Sequence, residues 1–357
     1  MSHSIPKAVL YYDVRSAWSL AVLFALEEKG YGKDELEHRP VDLSKGETFS
    51  PTFLRINSKG TVPTLVVPFE DTLSSDMESR YKAIAETEAL ITFLDKSRSI
   101  MSQTHTTSAA PAPALSPATV ALSSTAKSII TLLHSAPASP EMLFLLNAKN
   151  LAALRTIAPS VSAFLKGRKE ALDRYLAEDE AKEVRLSEKT KSFWLEKKSA
   201  IEGLLTTLNE ADKSDTELSE SGRKAREEYL EKSKAAWQVG LAVVLNKLTK
   251  ELLPGPYALG EQISVVDVHL AAWLHELVIL TGGSARDNGT VAIARLEEHV
   301  GGGFAFTKDV PSLPASASPT TSSEGPPPAP AATGPRPKLA VLWDALASRP
   351  SWQKVFG

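Results

Sequence analysis

A proline stands at the entrance to a short apolar strand: in Ile56–Leu65, read INSKGTVPTL, Gly60 turns the chain and Val62-Pro63 leads directly into Thr64–Val67. Proline removes a backbone donor and fixes φ, so Pro63 belongs at the first residue of a strand or on a sheet edge. The Val62–Pro63 bond is also one that adopts cis at low cost. A buried cis proline presents the preceding backbone, here the N–H and carbonyl of Val62, to an extended partner that adds as a strand does. A small peptide is then the natural ligand, and an ordinary loop-to-strand proline is the plainer alternative.

Around this junction the pattern is strand, helix, strand, helix, then strand, strand, helix. Lys7–Asp13 (KAVLYYD) is β-branched and aromatic, as a first strand should be. Ser16–Lys29 is apolar nearly all round and stops at Gly30, which predicts a buried helix. Glu37–Asp42 forms a second strand, Ser50–Ile56 a short helix with Pro51 in its first turn, and Thr64–Val67 the third strand. A polar excursion, Phe69–Glu78, precedes a strand at Tyr81–Ile84 and an amphipathic helix at Thr87–Lys96. The two halves share one sheet, giving an α/β domain over residues 1–98.

Ser97–Ser124 is dominated by Ser, Thr, Ala and Pro, so residues 99–125 read as a linker or disordered insertion. From there residues 126–357 are helical in period: Ile129–His134, Glu141–Thr156, Val161–Glu183, Ser187–Asn209, Arg223–Leu252, Val265–Leu280 and Leu339–Ala347. A Pro/Ser/Ala-rich insert over 306–338 interrupts this all-α domain before its last helix. Ser264 and Asp267 form an S-x-x-D capping box before an apolar helix.

Composition excludes several classes. A net charge of −3, with both signs interleaved on the helices, argues against a nucleic-acid partner. No apolar run approaches the roughly 20 residues that cross a bilayer, so no membrane association is expected. The N-terminus lacks the basic and apolar regions of a secretory signal, which leaves the cytoplasm as the expected compartment. With no cysteine in the chain, thiol nucleophiles, CxxC redox pairs and thiolate metal sites are ruled out, and the seven histidines show no metal spacing.

INSKGTVPTL resembles the N-P-x-G-x-V-P-x-L signature of the glutathione transferase superfamily, with Ser58 in place of its proline. AETEALITFL resembles that family's E-S-x-A-I-x-x-Y-L signature, YALGEQISVVDVHLAAWL its L-G-x-x-x-S-x-A-D helix start, and ALASRPSWQKVF its C-terminal end. The resemblance implies a thioredoxin-like N-terminal domain that holds glutathione and an all-α helical-bundle C-terminal domain that holds a small hydrophobic electrophile. It implies glutathione as co-substrate, no metal, and allows a homodimer.

By the same resemblance Glu86 holds the α-ammonium of the γ-glutamyl group, Thr87 its carboxylate, and Val62 with Pro63 the cysteinyl backbone. Glu86 and Thr87 lie where a strand gives way to a helix, so free N–H groups favour a carboxylate there; Thr87 as a simple N-cap is the alternative. The family's serine-type classes place a histidine near GE-x-x-S-P for the glycine carboxylate, where this chain has Thr48, and Lys45 or Lys59 stands in. Two residues are candidates for activating the thiol: Ser16, between the first strand and the buried helix, and Tyr11, at the strand's end. Ser19, one turn into the helix, is weaker. Two functions stay open: conjugation of the glutathione thiolate to an apolar electrophile, or a non-catalytic module that binds a ligand or serves as a scaffold.

Overall fold

The β-branched and aromatic residues of Ala8–Tyr12 form β1, and the apolar run that follows Ser16 forms α1, Ala17–Glu28. In this computed structural model residues 7–68, 81–99, 108–181, 187–310 and 334–357 are described. The chain continues through β2 (Leu36–Pro40), α2 (Pro51–Ile56), β3 (Thr64–Pro68), β4 (Tyr81–Ile84) and α3 (Thr87–Ser97). The sheet order is β2-β1-β3-β4, with β1 parallel to β2 and antiparallel to β3, and β3 antiparallel to β4. Opposite pairs such as Leu10 with Leu65 and Leu65 with Ile84 fix the register. This is the expected thioredoxin-like domain, in which β1-α1-β2 and β3-β4-α3 share one sheet. The excursion at 69–78 lies outside the described residues.

Side-chain alternation along β1 decides what each sheet face holds. Leu10 points into the main core with Phe24, Leu65, Leu90, Ile91 and Leu94, whereas Tyr11 packs on the opposite face with Val41, Phe53 and Val62. α1 is apolar all round because its outer face is also covered, by α10 (Val265–Leu280) of the helical domain. α10 starts at the expected capping box: Asp267 accepts from Ala258 N at 2.7 Å and from the N–H and hydroxyl of Ser264 at 2.8 Å each.

The rest of the chain is helical, as expected, with shifted boundaries. α4 is Val120–Leu133, α5 Pro140–Leu145 and α6 Leu151–Glu180. α6 runs unbroken through Pro159, where two helices were predicted, because its buried stripe of Leu154, Ala158, Val161 and Leu165 continues across the proline. α7 is Glu188–Asn209 and α8 Glu220–Lys234; a π-helical turn at Ala235–Leu241 joins α8 to α9, Ala242–Glu251. α11 (Gly289–Val300) was not foreseen: its first residue is a glycine on which an added Cβ would collide with the Ala340 carbonyl oxygen. β5 (Lys308–Val310) pairs with β6 (Arg336–Pro337), and α12 (Lys338–Ala347) and α13 (Pro350–Val355) end the chain.

Both low-complexity predictions need correction at their edges. Residues 108–119 are not a free linker: Leu115 is buried, and the Asp95 carboxylate gathers Leu115 N at 2.9 Å, Ser116 N at 3.0 Å and Lys29 Nζ at 2.9 Å. The segment docks through a buried charge that composition does not reveal, and the helical domain begins at Val120 rather than at residue 126. In the second insert Phe306 is buried and the β5–β6 ribbon is formed, so 306–310 and 334–338 belong to the fold. Residues 100–107 and 311–333 lie outside the described residues.

Candidate functional site

A helix that starts directly after a strand needs a cap for its free N–H groups, and Ser16 supplies one. It has extended backbone, and its Oγ accepts from Ser19 N at 3.3 Å. A hydroxyl that accepts still has its own proton to give, and among the described residues that proton meets no acceptor. The N–H groups of Ala17 and Trp18 beside it have no intrahelical partner by helix geometry, so three donors converge at this end of α1. Ser19 is different: it is fully buried and its Oγ accepts from Asp13 N at 3.3 Å.

The loop carrying Ser16 is held by charge. Buried Asp13 accepts from Arg15 N (2.9 Å), Arg15 Nη2 (2.8 Å) and Leu43 N (2.9 Å), and Arg15 also pairs with Asp42. The Ser44 hydroxyl and the Arg15 guanidinium hold the Asp42 carboxyl well below the usual carboxylate range. Lys45 is an exposed neighbour, 3.4 Å from Asp42. Across from it, α6 closes over the turn at Leu43–Lys45, and Trp194 of α7 donates from Nε1 to the Phe49 carbonyl at 3.0 Å.

The proline turn is rigid by construction. Asn57 Nδ2 donates to the Thr61 carbonyl (2.9 Å), Thr61 Oγ1 (3.0 Å) and Thr64 Oγ1 (3.0 Å), while its Oδ1 accepts from Lys59 N (3.0 Å). The Val62–Pro63 bond is cis. Both residues are buried, and among the described residues the backbone of Val62 enters no backbone hydrogen bond. Sequence reasoning missed Asn57, whose place as the first polar residue of the NSKGTVP loop was the available signal.

Glu86 is the N-cap residue of α3, with no side-chain capping bond, and Thr87 is its first helical residue, buried and with no hydrogen-bonded hydroxyl among the described residues. Thr87 is therefore not the cap. The Glu86 carboxylate instead forms an ion pair with Lys59, so two residues assigned to opposite ends of a ligand meet each other. Thr48 is buried and presents no charge.

Tyr11 is not brought together with Ser16. Its ring packs edge-on against Phe53 at 5.7 Å, and its hydroxyl accepts from Arg39 Nη1 at 3.1 Å, on the α2 side of the sheet. There it lines an open groove of about 420 Å³ with His38, Arg39, Glu47 and Phe53. Next to Ser16, in contrast, Trp18 stacks on His134 at 3.9 Å, and His134 hydrogen-bonds His269 at 3.0 Å. Neither histidine was read as part of a site. Among the described residues no group of side chains could hold a metal ion, and no helix is long and apolar enough to cross a membrane.

Residues 15–97 match the family described as "Glutathione S-transferase, N-terminal domain". A glutathione S-transferase of the zeta class from Euphorbia esula is 49% identical over 61 residues, which cover 17% of this chain and 26% of that protein. The chain thus spans about a quarter of the length of the curated relative it matches. Among solved structures it is similar to glutathione transferase Omega 3C from Trametes versicolor, with 15% identity, 99% of this chain and 90% of that one covered, and a TM-score of 0.44. It is also similar to a maleylacetoacetate isomerase from Methylobacterium extorquens with bound malonate and glutathione, with 18% identity, coverage of 82% and 91%, and a TM-score of 0.40. The matched segment contains Ser16, the Val62–Pro63 turn and the Glu86–Thr87 helix start, so it is over residues 15–97 that this chain is similar to the glutathione S-transferase N-terminal domain.

Proposed function

We propose that the protein is a glutathione transferase in which Ser16 activates the thiol. The observation that carries this reading is the Ser16 hydroxyl, which accepts from Ser19 N at the N-terminus of α1 and whose own proton meets no acceptor among the described residues. A glutathione thiol with an unperturbed pKa of about 8.5 is mostly protonated at neutral pH, and its reactive form is the thiolate. A donated hydroxyl proton and the free N–H groups of Ala17 and Trp18 stabilise that anion before reaction, so the proton leaves to water more readily. The Val62 backbone pairs with the cysteinyl backbone, Glu86 with the α-ammonium, and the N-terminus of α3 at Thr87 with the α-carboxylate. The thiolate then attacks the electrophilic carbon of an apolar second substrate. Soluble location in the cytoplasm and a homodimeric assembly belong to this proposal too.

A non-catalytic module that binds glutathione is the second reading, and Thr48 favours it, because its buried side chain offers no cationic anchor for the glycine carboxylate. Lys59 or Lys45 has to serve. Titration calorimetry with glutathione, followed by a conjugation assay on the same sample, separates the readings: binding with turnover supports the transferase, binding without turnover the module, and no binding at millimolar glutathione rules out both.

A further inference from the structure

Asp95 of α3 fastens the segment that leads from the sheet domain into the helical one. Its side chain is 5% exposed. Its Oδ1 accepts from Lys29 Nζ and Leu115 N at 2.9 Å each, and its Oδ2 from Ser116 N at 3.0 Å and the Ser116 hydroxyl at 2.5 Å. Lys29, the buried C-terminal cap residue of α1, also donates to the Pro113 carbonyl at 2.6 Å. The carbonyl of buried Leu115 accepts from the N–H of Val265, the first residue of α10, at 2.9 Å. Residues 113–116 therefore tie α1 and α3 to α10.

An ionised carboxylate only accepts, so the Ser116 hydroxyl serves this tie through its proton. Burial opposes charge on Asp95, yet the Ser116 hydroxyl and Leu115 N–H lead the donors that hold its carboxyl below the usual range. Ser116 is itself exposed, lies outside any helix or strand, and is followed by Pro117. A serine before a proline is the dipeptide that proline-directed protein kinases read, provided the chain can lie extended in their cleft. Among the described residues Ser50-Pro51 and Ser139-Pro140 share that dipeptide. Both of those serines are N-caps whose hydroxyls accept from Phe53 N and Met142 N, and the chain turns helical at the proline, so neither extends. After Pro117 no helix begins until Val120, and Ala118, Thr119 and Val120 are all exposed.

We propose that Ser116 is a phosphorylation site for a proline-directed serine/threonine kinase, and that its phosphate releases residues 113–116 from Asp95. The inference goes beyond the glutathione reading and does not depend on it. In the step, Ser116 Oγ bonds to the γ-phosphorus of ATP as the bond from that phosphorus to the β,γ-bridging oxygen breaks. ADP leaves, and the hydroxyl proton passes through the kinase's catalytic aspartate to water. The product lacks the proton that Asp95 accepts, and it sets a charge of about −1.5 to −2 beside a buried carboxylate, which disrupts the contact by repulsion. Lys29 does not offset this charge, since its buried ammonium is already engaged by Asp95 and the Pro113 carbonyl. Because Leu115 is buried, the kinase acts on the segment when it lifts locally, and the phosphate then prevents its return.

The test incubates the full chain with ATP and a purified mitogen-activated protein kinase, in a Ser318→Ala background that removes the Ser-Pro pair outside the described residues. Mass spectrometry should find phosphate on Ser116 and none on Ser50 or Ser139. Amide hydrogen exchange then reads the release at Leu115, Ser116 and Val265, whose N–H groups are bonded in the tie. Ser116→Ala, which loses the donor without adding charge, should speed exchange there by about tenfold or less, and the phosphate should exceed that variant by at least about tenfold. Leu10 and Leu65, in the sheet, should exchange at the parent's rate in both. No phosphate on Ser116 overturns the proposal, whether or not a free peptide of residues 110–122 is modified. Phosphate on Ser116 with exchange no faster than in Ser116→Ala overturns it too. Neither result bears on glutathione, which the experiment does not contain.

Discussion

Lys59 and Glu86, 27 positions apart in sequence, form an ion pair between the proline turn and the start of α3, and each side chain remains about two-thirds exposed (64% and 65%). An exposed pair of this kind contributes at most about 1 kcal/mol. A zwitterionic peptide can therefore replace each partner by its own opposite charge. In the proposed site the pair would hold the two side chains in place without blocking a peptide.

Removal of Glu86 should accordingly be felt in binding. Glu86→Ala is expected to weaken glutathione by about 1.5–3 kcal/mol, the range for a hydrogen bond to a charged group. Lys59→Met should cost less, because the glycine end of the peptide keeps Lys45 nearby. Titration calorimetry measures both; equal affinity for Glu86→Ala and the parent would remove Glu86 from the site.

Gly167 shows how closely α6 lies on the turn that anchors Arg15. A methyl added there would stand 2.3 Å from the Ser44 carbonyl oxygen, whereas one added at exposed Gly203 of α7 meets nothing within 4 Å. Gly167→Ala should destabilise by about 1–3 kcal/mol through overpacking. Gly203→Ala should stabilise by about 0.5–1 kcal/mol through helix propensity. Urea unfolding of the two variants tests the contrast in sign.

Much of this fold was legible from sequence, and the exceptions share a cause. The alternation at Lys7–Asp13, the all-round apolar α1 and the Ser264–Asp267 box are local patterns, and each forms an element within a residue or two of its expected place. The docking of 108–119 was hidden because it depends on Asp95, a charge buried by Lys29 at the end of α1 and by Leu115 and Ser116 of the docked segment. Ser16 was visible as a serine between a strand and an apolar helix. His134 and His269 were not, since 135 residues separate them and only the packing of α4 against α10 brings them together. The packing of Tyr11 was equally out of reach until alternation along β1 put its ring against Phe53.

The end of α1 is tied to the C-terminal helices by Glu28 and Arg349. Arg349 Nε and Nη2 each donate to the buried Glu28 carboxylate at 2.6 Å, Ser351 adds its hydroxyl, and Arg349 Nη1 donates to Tyr257 at 2.9 Å. Breaking one side leaves a buried charge, so Arg349→Ala should cost about 3–5 kcal/mol. Arg349→Ala combined with Glu28→Gln should recover part of that loss. Thermal unfolding of the single and double variants reads the difference, and strictly additive losses would contradict a coupled pair.

Glu276 of α10 gives the fold a pH dependence. Burial raises its carboxyl from 4.5 to about 7. Because the folded value lies above the unfolded one, the contribution to stability is fully present below about pH 4.5 and is lost as pH rises through about 7. Glu276→Gln lacks this loss. It should match the parent near pH 4.5 and exceed it in melting temperature near pH 8; a constant offset across the range would mean that the carboxyl does not titrate in the fold.

The account turns on Ser16, and the pKa of bound glutathione tests it most directly. Thiolate absorbance followed against pH should show a pKa below the free value of about 8.5 in the parent. Ser16→Ala should raise that pKa and lower the conjugation rate by an amount equivalent to at most about 2.7–4 kcal/mol, with less expected because the N–H groups of Ala17 and Trp18 remain. Glutathione affinity should stay near the parent's, and Tyr11→Phe should leave the thiol pKa where it was. A raised pKa in Tyr11→Phe with none in Ser16→Ala, or a parent in which bound glutathione titrates like free glutathione, would contradict the account.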